Sequence, residues 1–151
     1  MATVTGSRAA ASFPAFKALG SGILCAAYGS YDFAAEPAAA DVLELCKVPA
    51  GAVILGGYLR MEDLDTDASE TIDVDVGTAA DADAFGNFGV QTGDAVAGYL
   101  PEGGVLLPLH GTLGNGPVTV SADTVIQVTF VDDPATFTAG TVSLVVHYVN
   151  P

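Results

Sequence analysis

Residues 71–76 read T-I-D-V-D-V, a strict alternation that puts Ile72, Val74 and Val76 on one face of an extended chain and Thr71, Asp73 and Asp75 on the other. That is a strand with one face in water. Residues 125–131 and 141–149 are of similar length but largely apolar on both faces, which predicts strands that are central or covered on both sides. Further strands are expected at 22–28, 42–48, 52–61, 104–109 and 118–121. Turn chemistry separates them: Pro49-Ala50-Gly51, Gly93-Asp94, Pro101-Glu102-Gly103-Gly104, Asn115-Gly116-Pro117 and Asp132-Asp133-Pro134.

About eight short strands, with no convincing helical segment longer than two turns, predict an all-β chain folded as an antiparallel β-sandwich, with a jelly roll as the expected topology. An immunoglobulin-like sandwich fits less well, because Cys25 and Cys46 are close in sequence and the chain has no Trp to lie between them. Short helical turns are expected at 34–40 and 81–85. The 151 residues make one domain large enough for a real core, divided into an extended N-terminal arm, 1–17, and a sandwich, 18–151. The longest apolar run, 23–28, is far below the ~20 residues of a membrane span, so the chain is read as soluble. Arg8 and Lys17 before an apolar stretch imitate an export signal, but Gly20, Ser21 and Gly22 break it, and Leu24 stands before Cys25 where a lipobox needs a small residue. Two cysteines are too few for a disulfide scaffold. They lie on neighbouring predicted strands and are able to pair, with free buried thiols as the expected state.

Charge narrows the partners. All four cations, Arg8, Lys17, Lys47 and Arg60, lie in the first sixty residues, where Asp32, Glu36, Asp41 and Glu44 balance them; the rest of the chain carries the whole net charge of −14. Such a surface repels phosphate backbones and anionic lipid, which excludes nucleic acid and membrane surfaces as partners. It favours a water-facing side that keeps copies apart, with close docking left to the neutral N-terminal part.

Candidate chemistry is sparse. Asp63, Asp65 and Asp67 have the D-x-D-x-D spacing of a calcium loop, but the sixth position is Ala68 where the turn needs Gly, and the twelfth is Val74 where a bidentate Glu belongs. A solvated acidic connection explains them without a metal. Asp81, Asp83 and Asn87 form a second oxygen cluster of the same standing. Gly111, Gly114 and Gly116 precede Pro117 and a strand, so no helix N-terminus follows to cradle a phosphate. His110 and His147 are the only histidines and have no neighbouring nucleophile motif; His147, between Val146 and Tyr148, is expected on a strand face. Tyr28, Tyr31 and Phe33 offer an aromatic platform for sugars, against the plainer reading of core or interface. No catalytic residue, cofactor site or metal site is expected.

Residues 1–16 show no strand or helix periodicity, and alone such a segment is mobile. Ordering it takes a contact that offsets the entropy. The expected contact is another chain, with Phe13, Pro14 and Phe16 as apolar anchors and Arg8 and Lys17 for a partner's carboxylates; the other placement lays the arm along its own sandwich.

The successions V-L-E-L-C-K-V-P-A-G-A-V-I-L-G-G-Y-L-R at 42–60, T-I-D-V-D-V-G-T-A-A-D-A-D-A-F at 71–85 and A-G-T-V-S-L-V-V-H-Y-V at 139–149 together resemble the small head decoration, or cement, proteins of tailed bacteriophages. The resemblance runs from about Asp41 to the C-terminus, is carried by strands and turns rather than a catalytic signature, and leaves residues 1–40 unmatched. It implies a noncatalytic β-sandwich on the outside of a capsid assembled in the host cytoplasm, often a homotrimer, that clamps neighbouring subunits of the major capsid protein. Two other readings use the same sandwich: a carbohydrate-binding or host-attachment module, and a neck, tail or fibre component of a virion.

Overall fold

A computed structural model of the chain describes residues 1–11, 22–89 and 105–150. Their strands are β1 (Thr3–Thr5), β2 (Leu24–Phe33), β3 (Val42–Val48), β4 (Val53–Met61), β5 (Asp73–Gly77), β6 (Gly86–Gly89), β7 (Val105–Pro108), β8 (Val118–Thr119), β9 (Thr124–Asp132) and β10 (Gly140–Val149), with a short 3-10 helix at Gly111–Asn115. They form two sheets, β1-β3-β9-β5-β6 (sheet A) and β2-β10-β4-β7 (sheet B), with β8 beside β4. No helix among the described residues is long and apolar enough to cross a membrane.

The pairing is that of the expected jelly roll. Strands β2, β3, β4 and β5 pair antiparallel with β10, β9, β7 and β6 in turn, so the chain is one long ribbon doubled back between β5 and β6. Successive pairs fall in alternate sheets, and β10 against β4 and β9 against β5 close the roll. The two strands read as apolar on both faces, β9 and β10, are central in their sheets. Their inward residues, including Ile126, Val128, Phe130, Val142, Leu144, Val146 and Tyr148, are buried with Leu43, Ile54, Leu59, Val74 and Val76 of the neighbouring strands. Phe33 and Phe130 meet edge to face across the sandwich at 5.4 Å between centroids.

Several elements differ from expectation, each for a local reason. β2 runs on to Phe33 because Cys25, Ala27, Gly29 and Phe33 keep the inward alternation through a Gly-Ser pair that reads as a turn. Residues 34–40 form bends and a turn, not a helical turn; Pro37 lacks an N–H, and Asp41 takes the Ala38 N–H at 3.0 Å. Residues 82–85 are a turn, after which glycine-flanked β6 forms without any propensity signal. Cys25 and Cys46 lie in opposite sheets, and both are free and buried. Burial pushes the Cys46 thiol up to about 12.

The first eleven residues take the second of the placements considered above. β1 is a strand, contrary to the lack of periodicity, and pairs in parallel with β3 on the edge of the chain's own sheet A. Asp41 holds it by accepting the Ala2 N–H at 2.7 Å. That bond and the Ala38 N–H, the stronger of the two influences, keep the Asp41 carboxyl below its usual range. Gly6 then donates to Glu44 O, and the following turn buries Ala9. A three-residue strand is too short for a period to show.

Two close contacts fix the roll. β3 bulges between Glu44 and Cys46, and the Leu45 carbonyl is driven against β2 at Gly29, where any Cβ would overlap that oxygen. In the connections, the carboxylate of Asp65, 1% exposed, accepts the N–H groups of Thr71 and Ala135 at Oδ2 (2.8 and 2.9 Å) and of Thr136 and Asp67 at Oδ1 (2.9 and 3.3 Å). One side chain thus ties the β4–β5 connection to the β9–β10 connection. Burial raises its pKa, but the N–H groups, led by that of Thr71, outweigh burial and hold it below the ordinary value.

Gly29→Ala should therefore cost about 2–3 kcal/mol in chemical denaturation, whereas Gly114→Ala, with open space around it, should stay within about 0.5 kcal/mol. Asp65→Ala should cost about 3 kcal/mol or more at neutral pH, since it leaves several buried N–H groups unpaired. A carboxyl with a depressed folded-state pKa stabilises above its unfolded value near 4 and loses that contribution as pH falls through the folded value. The stability gap between wild type and Asp65→Ala, measured by urea melts from pH 7 down to pH 3, should shrink with acid.

Candidate functional site

Among the described residues, the candidates do not converge on one centre. Asp63, Asp65 and Asp67 each accept a backbone N–H two residues on, those of Asp65, Asp67 and Ser69, at 3.1, 3.3 and 2.8 Å. The D-x-D-x-D spacing is thus a run of Asx turns rather than a cation cage, and no cluster of His, Cys, Asp and Glu among the described residues has the arrangement of a metal site. Asn87 separates from Asp81 and Asp83: its amide donates to Asp75 at 2.8 Å and Asp73 at 3.4 Å. Asp81 and Asp83 lean on each other, which raises Asp81.

His110 precedes the 3-10 helix and accepts the Gly111 N–H on Nδ1 at 2.7 Å. Its ring stands edge-on to Phe88 at 4.9 Å. Gly111 has φ +64 and lies against the Ala84 carbonyl, so its glycine character serves the backbone. His147 lies apart, on the outer face of β10 against Tyr58 at 6.1 Å. The aromatic platform does not form either: the pleat of β2 turns Tyr28 outward and Phe33 inward, with Tyr31 packed edge-on to Phe33 at 4.8 Å. Arg8 lies with its guanidinium 3.9 Å over the Tyr28 ring and donates to the Tyr28 hydroxyl at 2.7 Å. Phe13, Pro14, Phe16 and Lys17 lie outside the described residues.

What the fold does assemble is a contrast between its two outer faces. On sheet A, Asp73 of β5 stands in register with Asp132 of β9, and Asp75 follows two residues on. Burial raises the Asp73 carboxyl, and Asp75 and Asp132 raise it further; burial likewise raises Asp75. Like charges directly opposite each other on a ladder are destabilising. Sheet B runs through rows of different character. Leu24, Val149 and Val53 form one row, Ala26, His147 and Gly56 beside bulged Leu55 the next, and Tyr28, Val145 and Tyr58 the third. Ser30, Ser143 and Arg60 follow, and only beyond them come Asp32 and Thr141. Three successive rows therefore carry no carboxylate, and within them Leu24 is 63%, Tyr28 51% and Leu55 45% exposed. Sequence reasoning missed this patch because rows run across strands, and strand order decides which outward residues become neighbours.

A groove of about 590 Å³ opens at the end of sheet A beside β3 and β9, lined by residues such as Glu44, Thr78, Ser121, Asp123, Thr124 and Gln127. Its lining has no aromatic side chain and no histidine or cysteine.

No family model matches the chain, and no curated protein matches it. Among solved structures, it is similar to a chain of the "Cyanophage Pam1 capsid asymmetric unit", 29% identical with a TM-score of 0.69 over 93% of this chain and 95% of that one. It also shares its fold with a chain of the "Capsid of Ralstonia phage GP4", 22% identical with a TM-score of 0.78 over 99% of both. A third likeness in fold is to a chain of the "Acidic stable capsid structure of Helicobacter pylori bacteriophage KHP30", 16% identical with a TM-score of 0.58 over 86% of this chain and 90% of that one. The likeness that bears on function is the 29% identity to a chain of a phage capsid, which runs over 93% of this chain.

Proposed function

We propose that the chain is a noncatalytic structural protein of a phage virion, one that decorates the outside of the capsid and stabilises it by bridging subunits of the major capsid protein. The observation that carries this reading is the 29% identity, over 93% of the chain, to a chain of a capsid asymmetric unit. The geometry agrees with it. Among the described residues the two histidines stand on separate elements, the D-x-D-x-D run is spent on Asx turns, and both thiols are free in the interior. The acidic outer face of sheet A is unfavourable beside packaged genome and suits a surface turned to water.

Stabilisation then follows from geometry rather than chemistry. A cap resting on several shell subunits adds contacts that must break before those subunits separate. As a homotrimer it would engage three sites at once, so each contact can be modest while the whole holds through effective concentration. Arg8, Phe13, Pro14, Phe16 and Lys17 are proposed to contribute to the contact with the shell.

Purified protein should co-sediment with shells of its own phage that lack it, and should raise the temperature at which those shells release their contents. Cryo-electron microscopy of the decorated particle should place it outside the shell at a fixed copy number. Absence from the particle, or a place in the neck, tail or fibre, would refute the capsid reading. The double variant Phe13→Ser with Phe16→Ser should keep the far-ultraviolet circular dichroism of the wild type and lose at least about tenfold in shell affinity, roughly 1.4 kcal/mol; unchanged affinity would remove these residues from the contact.

A further inference from the structure

We infer that the outer face of sheet B, from Leu24 to the row of Tyr28 and Tyr58, is the surface that docks on the shell, and that the shell offers it an apolar patch bordered by carboxylates. The inference rests on the capsid reading above and adds which side of the molecule is bound and what the partner must look like.

Desolvation selects this face. Burying an ionised carboxylate without a partner is far costlier than burying Leu or Tyr, and every row here up to that of Tyr28 is free of carboxylates in a chain of net charge −14. Exposed Leu24 and Leu55 and the half-wet ring of Tyr28 are the kind of groups whose removal from water drives association. Two of the three cations among the described residues border the patch, Arg8 over the Tyr28 ring and Arg60 one row beyond Tyr58. Arg60 has only an exposed partner, Glu62 at 3.5 Å, and such a pair holds its guanidinium weakly. A face that is apolar in the middle and carries Arg8 and Arg60 at its border, ahead of the carboxylates of Asp32 and Glu62, is complementary to an apolar surface with carboxylates placed opposite those two guanidiniums. Docked this way, the molecule turns the Asp73, Asp75 and Asp132 side of sheet A away from the shell, since the two outer faces lie on opposite sides of the sandwich.

The test uses the full-length chain and undecorated shells. Leu24→Glu with Leu55→Glu should reduce shell affinity at least tenfold, and Arg60→Glu should weaken it and flatten its dependence on salt. All variants should keep the wild-type melting temperature and sedimentation coefficient, because the altered side chains are exposed. Val131→Glu, at an exposed apolar position on sheet A, should bind as wild type does. Undiminished binding by Leu24→Glu with Leu55→Glu would overturn the inference, as would loss of a solution oligomer by that variant, since the face would then be covered by a second copy. Failure of the wild type itself to bind shells would dispose of the capsid reading, and it is seen before any variant is made.

Discussion

Everything in this molecule follows from confining one of every two strand residues to the space between two sheets. The interior takes Leu43, Ile54, Leu59, Val74, Val76, Ile126, Val128, Phe130, Val142, Leu144, Val146 and Tyr148, and that packing is what holds a doubled ribbon in a roll. Because the pleat has a period of two, the alternate residues are released from the core and free to differ between the two outer faces. Sheet A uses this freedom for aspartates and Asn87, sheet B for Leu, Val, Ala and Tyr. The roll also needs backbone to approach backbone. Gly29 under the Leu45 carbonyl allows the sheets to come together along the β2–β3 side, and the Asp65 carboxylate holds the β4–β5 and β9–β10 connections.

What could be read from sequence was whatever leaves a periodic mark. The alternation at 71–76 and the doubly apolar runs at 125–131 and 141–149 became β5, β9 and β10, and their expected positions in the sheets hold. β1 and β6 were invisible because three or four residues, two of them Thr in β1 and two of them Gly in β6, cannot display a period. Individual residues were legible as types but not as neighbours. Ala68 and Val74 show from the sequence that the D-x-D-x-D run departs from the calcium-loop pattern, yet nothing local announced that Asp65 reaches Ala135 and Thr136 across seventy positions of chain. The apolar patch was hidden for the same reason. Leu24, Val149 and Val53 form a row only once β10 lies between β2 and β4.

The acidic face has a cost that helps explain why it is there. Asp73 opposite Asp132, with both Asp73 and Asp75 raised mainly by burial, means that ionisation at neutral pH works against the fold. A folded-state pKa above the unfolded one means that the lost stability begins to return as the pH falls through the folded value and is fully present only below the unfolded one, so these groups and Asp65 pull in opposite directions with acid. A sandwich retaining such residues gains something other than stability from them. Net charge of −14 opposes nonspecific aggregation, to which a protein with Leu24, Tyr28 and Leu55 exposed on one face is otherwise open.

These two properties act over different ranges. Charge repulsion extends about 8 Å at physiological ionic strength, whereas apolar burial acts only at contact, where each Å² removed from water gives about 25 cal/mol. Between two free copies the charge on both has the same sign, which opposes nonspecific approach of their apolar faces. Against a large surface with a fixed patch of opposite character, the cations beside Tyr28 and Tyr58 align the approach before the apolar rows touch. On the capsid reading proposed above, the charge distribution that opposes nonspecific pairing of two such faces would also orient the molecule on a shell.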